Sequence, residues 1–188
     1  MPIYRAKMRH NASTIKKLIQ TGYDVFQFKR KLLNAVIAFG LILFGLYADK
    51  SMFTPWIALF VGCVMLPNLN AIPKQQANAV LQQMGGHFPK SDYCFYEKEF
   101  TFHDKEEPVP YKRLIRLIED KQYLYLYVAE QSGYMVDKGT VTGGSVSDLK
   151  IYLEIETGMK FARPANLFSF KITDLFPQKD NYKGPRLK

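Results

Sequence analysis

The sequence predicts an α+β membrane protein that consists of a two-helix transmembrane hairpin and a small β-rich unit on the cytoplasmic side. Two uncharged apolar segments lie between residues 32 and 73 and are separated by a short turn. A region rich in aromatic and alternating residues follows them. Eight basic residues precede the first segment, against one in the turn. By the positive-inside rule, this asymmetry predicts that both termini are cytoplasmic.

The composition of the 188-residue chain is typical of a folded protein, with 47% hydrophobic and 23% charged residues. Its two cysteines exclude a disulfide-stapled secreted scaffold. The net charge of +9 is concentrated at one end: residues 1–31 carry eight basic residues and one acid, whereas residues 74–188 carry 17 basic and 15 acidic residues. This distribution favours anionic lipid headgroups over nucleic acid as the partner of the basic residues.

Residues 1–31 are predicted to be a cytoplasmic strand, in PIYRAKMR, and a basic amphipathic helix. The strand has no neighbour of its own, so it is predicted to pair with the domain after the hairpin. Asn11, Ser13 or Thr14 can cap the helix, and Gly22 can interrupt it. We expect this helix to follow the inner leaflet into the first span. The basic residues expected at the membrane surface are Lys16, Lys17, Lys29, Arg30 and Lys31.

The transmembrane hairpin is predicted over residues 32–73, with spans at about 30–48 and 53–72. Leu32–Ala48 contains 17 uncharged residues and Ser51–Pro73 contains 23. A helix needs roughly 20 apolar residues to cross the core of a bilayer. A buried hairpin of a soluble protein is disfavoured, because a chain of this length cannot surround two all-apolar helices with a core.

Several residues of the hairpin have a predicted position. Pro55 fits the first turn of the second helix, and Pro67 is expected to end or kink that helix. The glycines that can allow close contact between the spans are Gly40, Gly45 and Gly62. The aromatic residues expected at the membrane interface, on either side of the turn, are Tyr47 and Trp56.

The rest of the chain is predicted to form a cytoplasmic domain, residues 74–176, and a mobile tail, residues 177–188. The segment KQQANAVLQQMGG predicts a short helix that ends at its glycine pair. Aromatic and alternating residues predict strands at Tyr93–Phe102, Tyr123–Val128 and Tyr134–Lys138, while Tyr111–Glu119 fits either a helix or a strand.

A terminal helix is predicted after the small residues 140–144. Ser145 or Ser147 can cap it, it extends to about Thr157, and Gly158 follows its last turn. In the strand before it, alternate residues share a face, so one face is core and the other is an interaction surface or a solvated exterior. The residues of this possible interaction face are Tyr123, Tyr125 and Tyr127.

Over about residues 3–161, the predicted elements follow a particular order. A strand and basic helix come first, and a two-span hairpin follows them. The runs VPYKRLIRLIEDKQYLYLYV and GYMVDKG and a serine-capped helix come last. This order resembles the YcxB-like family of bacterial membrane proteins. The resemblance implies that the soluble domain is a pleckstrin-homology-like (PH-like) barrel capped by its C-terminal helix. The family has no established function, so the resemblance implies a fold and no catalytic residues. The sequence departs from the family at Gly139-Thr140-Val141, where a bulky apolar residue is common.

The sequence contains no catalytic, cofactor-binding or metal-binding signature, so we predict no enzyme and no cofactor. The glycine-rich run Gly139–Ser145 lacks the lysine of a phosphate loop and fits an ordinary helix start. The carboxylate pairs Glu106-Glu107 and Glu119-Asp120 fit solvated turns. The histidines and cysteines that lack a metal-ligand spacing are His10, His87, His103, Cys63 and Cys94.

The leading functional prediction is a non-enzymatic protein of the cell membrane that presents its domain at the inner leaflet for protein or lipid-headgroup binding. The alternative is a membrane immunity protein that protects against a secreted toxin or bacteriocin, because that role needs no catalytic site. A transporter component is disfavoured, since the uncharged segments 32–48 and 51–73 contain no acidic or basic residue for an ion path. The expected partners are the anionic inner leaflet and a protein, such as a toxin or an envelope protein, and not nucleic acid.

Overall fold

The computed structural model describes residues 1–49, 51–102 and 107–164 and has an α+β fold, with two long apolar helices followed by small antiparallel sheets. The helices are α1 (Ala12–Phe26), α2 (Phe28–Tyr47), α3 (Thr54–Met65), α4 (Ala71–Met84) and α5 (Val146–Thr157). The strands are β1 (Tyr4–Arg9), β2 (Lys90–Phe95), β3 (Glu99–Phe102), β4 (Val109–Pro110), β5 (Arg116–Glu119), β6 (Tyr123–Ala129) and β7 (Ser132–Asp137). The predictions made for Lys50, His103, Glu106, the end of the predicted domain (165–176) and the tail 177–188 fall outside the described residues.

The strands form a four-stranded sheet in the order β1-β2-β3-β4 and a three-stranded sheet in the order β5-β6-β7. β1, which precedes the long helices, pairs antiparallel with β2, which follows them; Tyr4 lies opposite Phe95 and Arg9 opposite Lys90. The predicted pairing of the N-terminal strand with the domain is therefore confirmed. On its other edge, β1 exchanges backbone hydrogen bonds with Thr142.

A single aromatic-rich core lies within the two sheets. Phe95, Phe100 and Tyr125 are completely or almost completely buried, and each belongs to a different strand. α5 contributes Leu149 and Leu153, which are also completely buried in this core. The predicted start and end of α5 are confirmed, because Ser145 caps it and Gly158 ends it with a left-handed backbone (φ of 68°).

Two predictions about strands need correction or completion. Tyr93–Phe102 is not one strand but the hairpin of β2 and β3, in which the Tyr96 N–H donates to the Glu99 carbonyl at 2.9 Å. Glu97 and Lys98 form its exposed turn. The aromatic alternation continues on both sides of this turn, so the pattern alone predicted one uninterrupted strand. The ambiguous segment Tyr111–Glu119 contains a short 3₁₀ turn and then β5.

α1 begins at the predicted cap and extends beyond the predicted interruption. Asn11 and Thr14 form a reciprocal capping box at its start. Gly22 does not interrupt the helix, so that prediction is wrong. A single glycine costs a helix only about 1 kcal/mol. Its role is contact: a Cβ atom at Gly22 would lie 3.2 Å from the ring of Tyr127.

α2 and α3 pack against each other along a seam of small residues. A Cβ atom at Gly45 would lie 2.6 Å from the Cβ of Leu59, and one at Gly62 would lie 2.7 Å from Ile42. Both glycines therefore allow the close contact that was predicted for them. Gly40 does not, because a Cβ atom there would have no described neighbour within 4 Å.

Pro67 interrupts the second long helix without ending it. It opens a 3₁₀ turn, Pro67–Asn70, and α4 continues from Ala71 to Met84, so the helical segment extends past Pro73. Within the part of the chain that the structure describes, α2 and the segment Thr54–Met84 are long and apolar enough to cross a membrane. Only 22% and 17% of their most apolar windows are buried in the molecule.

Candidate functional site

The candidate site lies at the junction where α1 packs between the long helices and the three-stranded sheet. The Tyr127 hydroxyl donates to the Leu18 carbonyl at 3.1 Å, and the Phe26 and Tyr127 rings meet edge to face with centroids 5.4 Å apart. Gly22 leaves room for the same tyrosine ring. α1 is thus fixed to β6 by a hydrogen bond, a ring contact and a close backbone approach.

This contact overturns the predicted interaction face of β6. Tyr123, Tyr125 and Tyr127 are only 8%, 0% and 2% exposed. Both faces of this strand are buried, because α1 covers the tyrosine side. Burial also raises the pKa values of the Tyr125 and Tyr127 hydroxyls. The three tyrosines are therefore packing residues and do not form an open surface.

Asp120 joins α1 to the sheet through its carboxylate. Lys17 donates to it at 2.7 Å, Tyr125 donates its hydroxyl at 2.7 Å, and the Tyr123 N–H donates at 2.7 Å. Burial raises the pKa of this carboxyl, but the bonds from Lys17, Tyr123, Tyr125 and Gln122 outweigh it and lower the pKa to about 2. The Lys17 ammonium also lies 4.7 Å from the centroid of the Tyr123 ring.

Glu119, the neighbour of Asp120, is also paired. Lys138 and Lys150 donate to its two oxygens at 2.9 and 2.8 Å. Burial raises the pKa of Glu119, and the bonds from these lysines lower it by more. The prediction that Glu119-Asp120 is a solvated turn is therefore wrong, because both carboxylates bind lysines from other elements.

A second polar cluster lies where α1 meets α2. Lys31 donates to Asp24 at 2.7 Å, and Gln20 donates to both carboxylate oxygens of Asp24 at 3.1 and 3.2 Å. Gln20 also donates to Asn70 at 3.4 Å, so the cluster links both long helical segments. Lys31 is only 7% exposed. Its ammonium is turned inward to Asp24, so it does not face outward as a cation in contact with headgroups would; its depth in a membrane stays a prediction.

The five predicted surface cations therefore divide into two groups. Lys16, Lys29 and Arg30 are exposed, as a cation at a headgroup surface would be. Lys17 and Lys31 bind carboxylates: the Lys17 side chain is still 43% exposed, whereas Lys31 is buried. At the opposite end of the long helices, Tyr47 and Trp56 are 85% and 50% exposed on either side of the turn.

A cleft of about 580 Å³ opens beside the junction, and we call it the junction cleft. α1 and α4 form two of its walls, and the turn between β6 and β7 closes the third. A hydrogen bond of 3.2 Å from Gln27 to Glu130 joins α1 to that turn. Arg30 and Ile72 lie at one end of the cleft, near the start of the apolar helices, and Gln83 lines it near the end of α4.

The glycine-rich run before α5 is closed to an anion. A Cβ atom at Gly143 would collide with the Ile3 carbonyl, and one at Gly144 would lie 2.7 Å from the Tyr4 ring. The Ser145 N–H donates to the Asp148 carboxylate at 2.9 Å. The ordinary helix start that the sequence predicted fits this geometry, because β1 and Asp148 already fill the place of a ligand.

The described residues contain no cluster of three or more His, Cys, Asp or Glu side chains that could hold a metal. Among the isolated histidines and cysteines, His10 has a buried Nδ1 that makes no hydrogen bond with a described residue. Burial lowers the pKa of this histidine. Cys94 is half-buried in β2, whereas Cys63 is exposed on α3. These positions bring none of the predicted isolated residues together.

Sequence reasoning missed the junction cleft and the two polar clusters. One signal pointed to the second cluster: Asp24 is the only acid among the first 31 residues, within a strongly basic segment. The cleft has no local signal, because its walls come from three distant parts of the chain. Comparison with known proteins adds no precedent, since no protein-family model, curated protein or solved structure matches the chain.

Proposed function

We propose that the chain is a non-enzymatic integral membrane protein whose two apolar helices anchor a PH-like domain at the cytoplasmic face of the cell membrane. The domain binds a lipid headgroup or a membrane-associated protein there. The observation that carries the proposal is the exposure of large apolar side chains on both long helices. Examples are Leu33 at 59%, Phe39 at 57% and Phe60 at 70%.

Such exposure needs a hydrophobic surrounding. A helix in the core of a soluble protein is mostly buried, whereas less than a quarter of either apolar window is buried in this molecule. Contiguous apolar surface of this extent on a soluble monomer is a site of association or aggregation. Lipid covers both helices at once, along their full length.

The pairing of β1 with β2 supports an even number of crossings. β1 precedes α2 and β2 follows α4, yet the two strands are neighbours in one sheet. The chain must therefore return to the side from which it left. With eight basic residues before the first helix, that side is the cytoplasm by the positive-inside rule.

The assignment to a PH-like domain and to the YcxB-like family rests on the sequence resemblance and on the arrangement of the strands. Sheets of four and three antiparallel strands share one core, and the helix that follows them buries Leu149 and Leu153 in it. A barrel capped by a helix requires these features. The exposed Lys16, Lys29 and Arg30 supply attraction to anionic headgroups of about 1 kcal/mol each near such a surface.

Cysteine labelling in intact cells tests the proposal. In a Cys63→Ala and Cys94→Ala background, Met52→Cys, in the turn between the helices, should react with a membrane-impermeant reagent. Ser147→Cys, on α5, should react only after the cells are permeabilised. The protein should also stay in the membrane fraction after alkaline carbonate extraction. Labelling of Ser147→Cys in intact cells would overturn the topology, and extraction by carbonate would overturn the anchor.

A further inference from the structure

We propose that the junction cleft binds one anionic phospholipid, with the lipid phosphate at Arg30 and the polar headgroup among side-chain amides. This inference rests on the proposed function, because the membrane anchor brings the cleft to the level of the headgroups. The site is formed by α1, α4 and the β6–β7 turn. It is thus made jointly by the helical segments and the domain.

The position of the cleft favours a lipid over a soluble ligand. Arg30 lies in the first turn of α2 and Ile72 in the first turn of α4, and both line the cleft. These two turns mark the boundary at which the apolar helices change into the polar segments α1 and α4. With the apolar helices in the bilayer, this end of the cleft opens where phosphates lie, so a lipid can enter sideways without leaving the membrane.

The chemistry of the lining suits an amphipathic ligand. Ile19, Phe26 and Val80 give the walls an apolar part. The amide side chains of Gln76, Gln83 and Gln131 make no hydrogen bond with any described residue. A primary amide both donates and accepts, so these groups can bind phosphate oxygens and headgroup hydroxyls. The cleft volume of about 580 Å³ lies within the roughly 300–1,000 Å³ of small-molecule sites.

The charges favour an anionic lipid. The Arg30 guanidinium forms no ion pair with a described residue, and it is the basic group of the lining. Glu130 is the one acid among the described lining residues, and Gln27 already donates to it at 3.2 Å. A guanidinium binds phosphate through two parallel hydrogen bonds, a geometry that a lysine cannot supply.

Native mass spectrometry of the full chain in detergent tests the site, with phosphatidylglycerol and phosphatidylcholine of identical acyl chains as probes. The wild-type chain should retain one phosphatidylglycerol at a concentration about tenfold lower than it needs for phosphatidylcholine. Arg30→Gln should remove this preference. Lys74→Gln, which removes an exposed cation from the first turns of α4 outside the cleft, should keep it.

Filling the cleft gives a second, independent comparison. Ala79→Trp places a large ring in the cleft and should abolish the single retained lipid, whereas Asn78→Trp, on the same helix but outside the lining, should not. If Ala79→Trp fails to fold, the Arg30→Gln and Lys74→Gln pair still decides. Equal lipid retention by Ala79→Trp and wild type would overturn the site. Retention of both lipids at the same concentration would overturn its anionic selectivity, and a peptide found in place of lipid would overturn the ligand class.

Failure of this inference is distinguishable from failure of the anchor. A chain that resists carbonate extraction but retains lipid equally in wild type and Ala79→Trp keeps the anchor and loses the lipid site. A chain that carbonate extracts loses both, because a cleft away from the membrane has no lateral supply of lipid.

Discussion

The α2–α3 hairpin and the two-sheet domain place their apolar side chains in opposite ways. Beyond the first turn of α2, where Phe28 and Lys31 are buried, the buried residues of the hairpin are small and most of the large ones are exposed. In the domain, the largest side chains are completely or almost completely buried, among them Phe95, Phe100 and Tyr125. The buried small residues of the hairpin are Ala35, Ala38, Gly45, Ala58 and Gly62.

With the hairpin in the membrane, as proposed above, the two regions associate for different physical reasons. In water, burial of large apolar side chains drives folding, at about 25 cal/mol per Å² of apolar surface. Between helices in lipid that gain is missing, so contact depends on the close approach of backbones and on van der Waals packing. Truncation of the same residue type should therefore change stability by different amounts in the two regions, and matched substitutions can measure this difference.

The largest difference between the two regions is expected when a phenylalanine of each is truncated to alanine. Phe100→Ala removes a completely buried ring and should destabilise the domain by about 3–5 kcal/mol, which lowers Tm by more than about 10 °C. Phe39→Ala, on a ring that is 57% exposed on α2, should change the stability of the domain by less than about 0.5 kcal/mol. Thermal unfolding of the full chain in detergent, followed by near-ultraviolet circular dichroism, measures both.

Equal losses in the two variants would contradict the contrast, because they would mean that Phe39 belongs to the packed core of a soluble protein. Phe53→Ala serves as a second control. This residue is 76% exposed near the turn and should behave as Phe39→Ala does.

A smaller effect is expected from adding one carbon atom to the hairpin seam. Gly45→Ala brings a Cβ atom to 2.6 Å from the Cβ of Leu59 and 2.7 Å from the Pro55 carbonyl, so the helices must separate. We expect a cost of about 1–3 kcal/mol in helix association. Gly40→Ala places the same atom in open space and should cost nothing, since alanine is the better helix former by about 1 kcal/mol.

Titration of the folded chain with sodium dodecyl sulfate, followed by the fluorescence of Trp56, the single tryptophan, measures this cost. The Gly45→Ala variant should lose its folded signal at a lower dodecyl sulfate mole fraction than the Gly40→Ala variant. Identical midpoints in the two would show that the close approach of α2 and α3 is not required for the hairpin.

The sequence predicted the features that depend on local pattern. The apolar helices, the strand before them, the cap at Ser145 and the terminal Gly158 were all found at or near their predicted positions. Each depends on a few neighbouring residues whose backbone preference does not require the rest of the fold. The close contacts of Gly45 and Gly62 were also predictable from residue type, but Gly40, of the same type, faces away.

The parts that the sequence did not predict depend on contacts between distant segments. The alternation of β6 indicates two faces, but it does not reveal that α1 covers the tyrosines. A run of basic residues does not show that Lys17 and Lys31 bind Asp120 and Asp24. The candidate site was missed for the same reason, because the junction cleft exists only after three separate segments have met.

The smallest effect is expected from the adjacent lysines Lys16 and Lys17 of α1, which have different environments. Lys17→Met should lower the stability of the full chain at pH 7 by up to about 1 kcal/mol, since it removes a partly exposed ion pair with Asp120. Lys16→Met should leave stability within about 0.5 kcal/mol of wild type, because Lys16 is exposed. Thermal unfolding in detergent at one ionic strength compares them.

The pH dependence of the Lys17 effect identifies Asp120 as its cause. The pKa of Asp120 is lowered from its ordinary value near 4 to about 2 in the folded chain. A lowered carboxyl pKa contributes stability that is complete above the unfolded pKa and is lost as the pH falls through the folded pKa. The stability difference between wild type and Lys17→Met should therefore be constant from pH 7 to about 5 and shrink towards pH 2. The difference should also shrink in the Asp120→Asn background. A difference that persisted unchanged in that background would mean that Lys17 acts through its 4.7 Å contact with the Tyr123 ring, and the ion pair would then not hold α1 on the sheet.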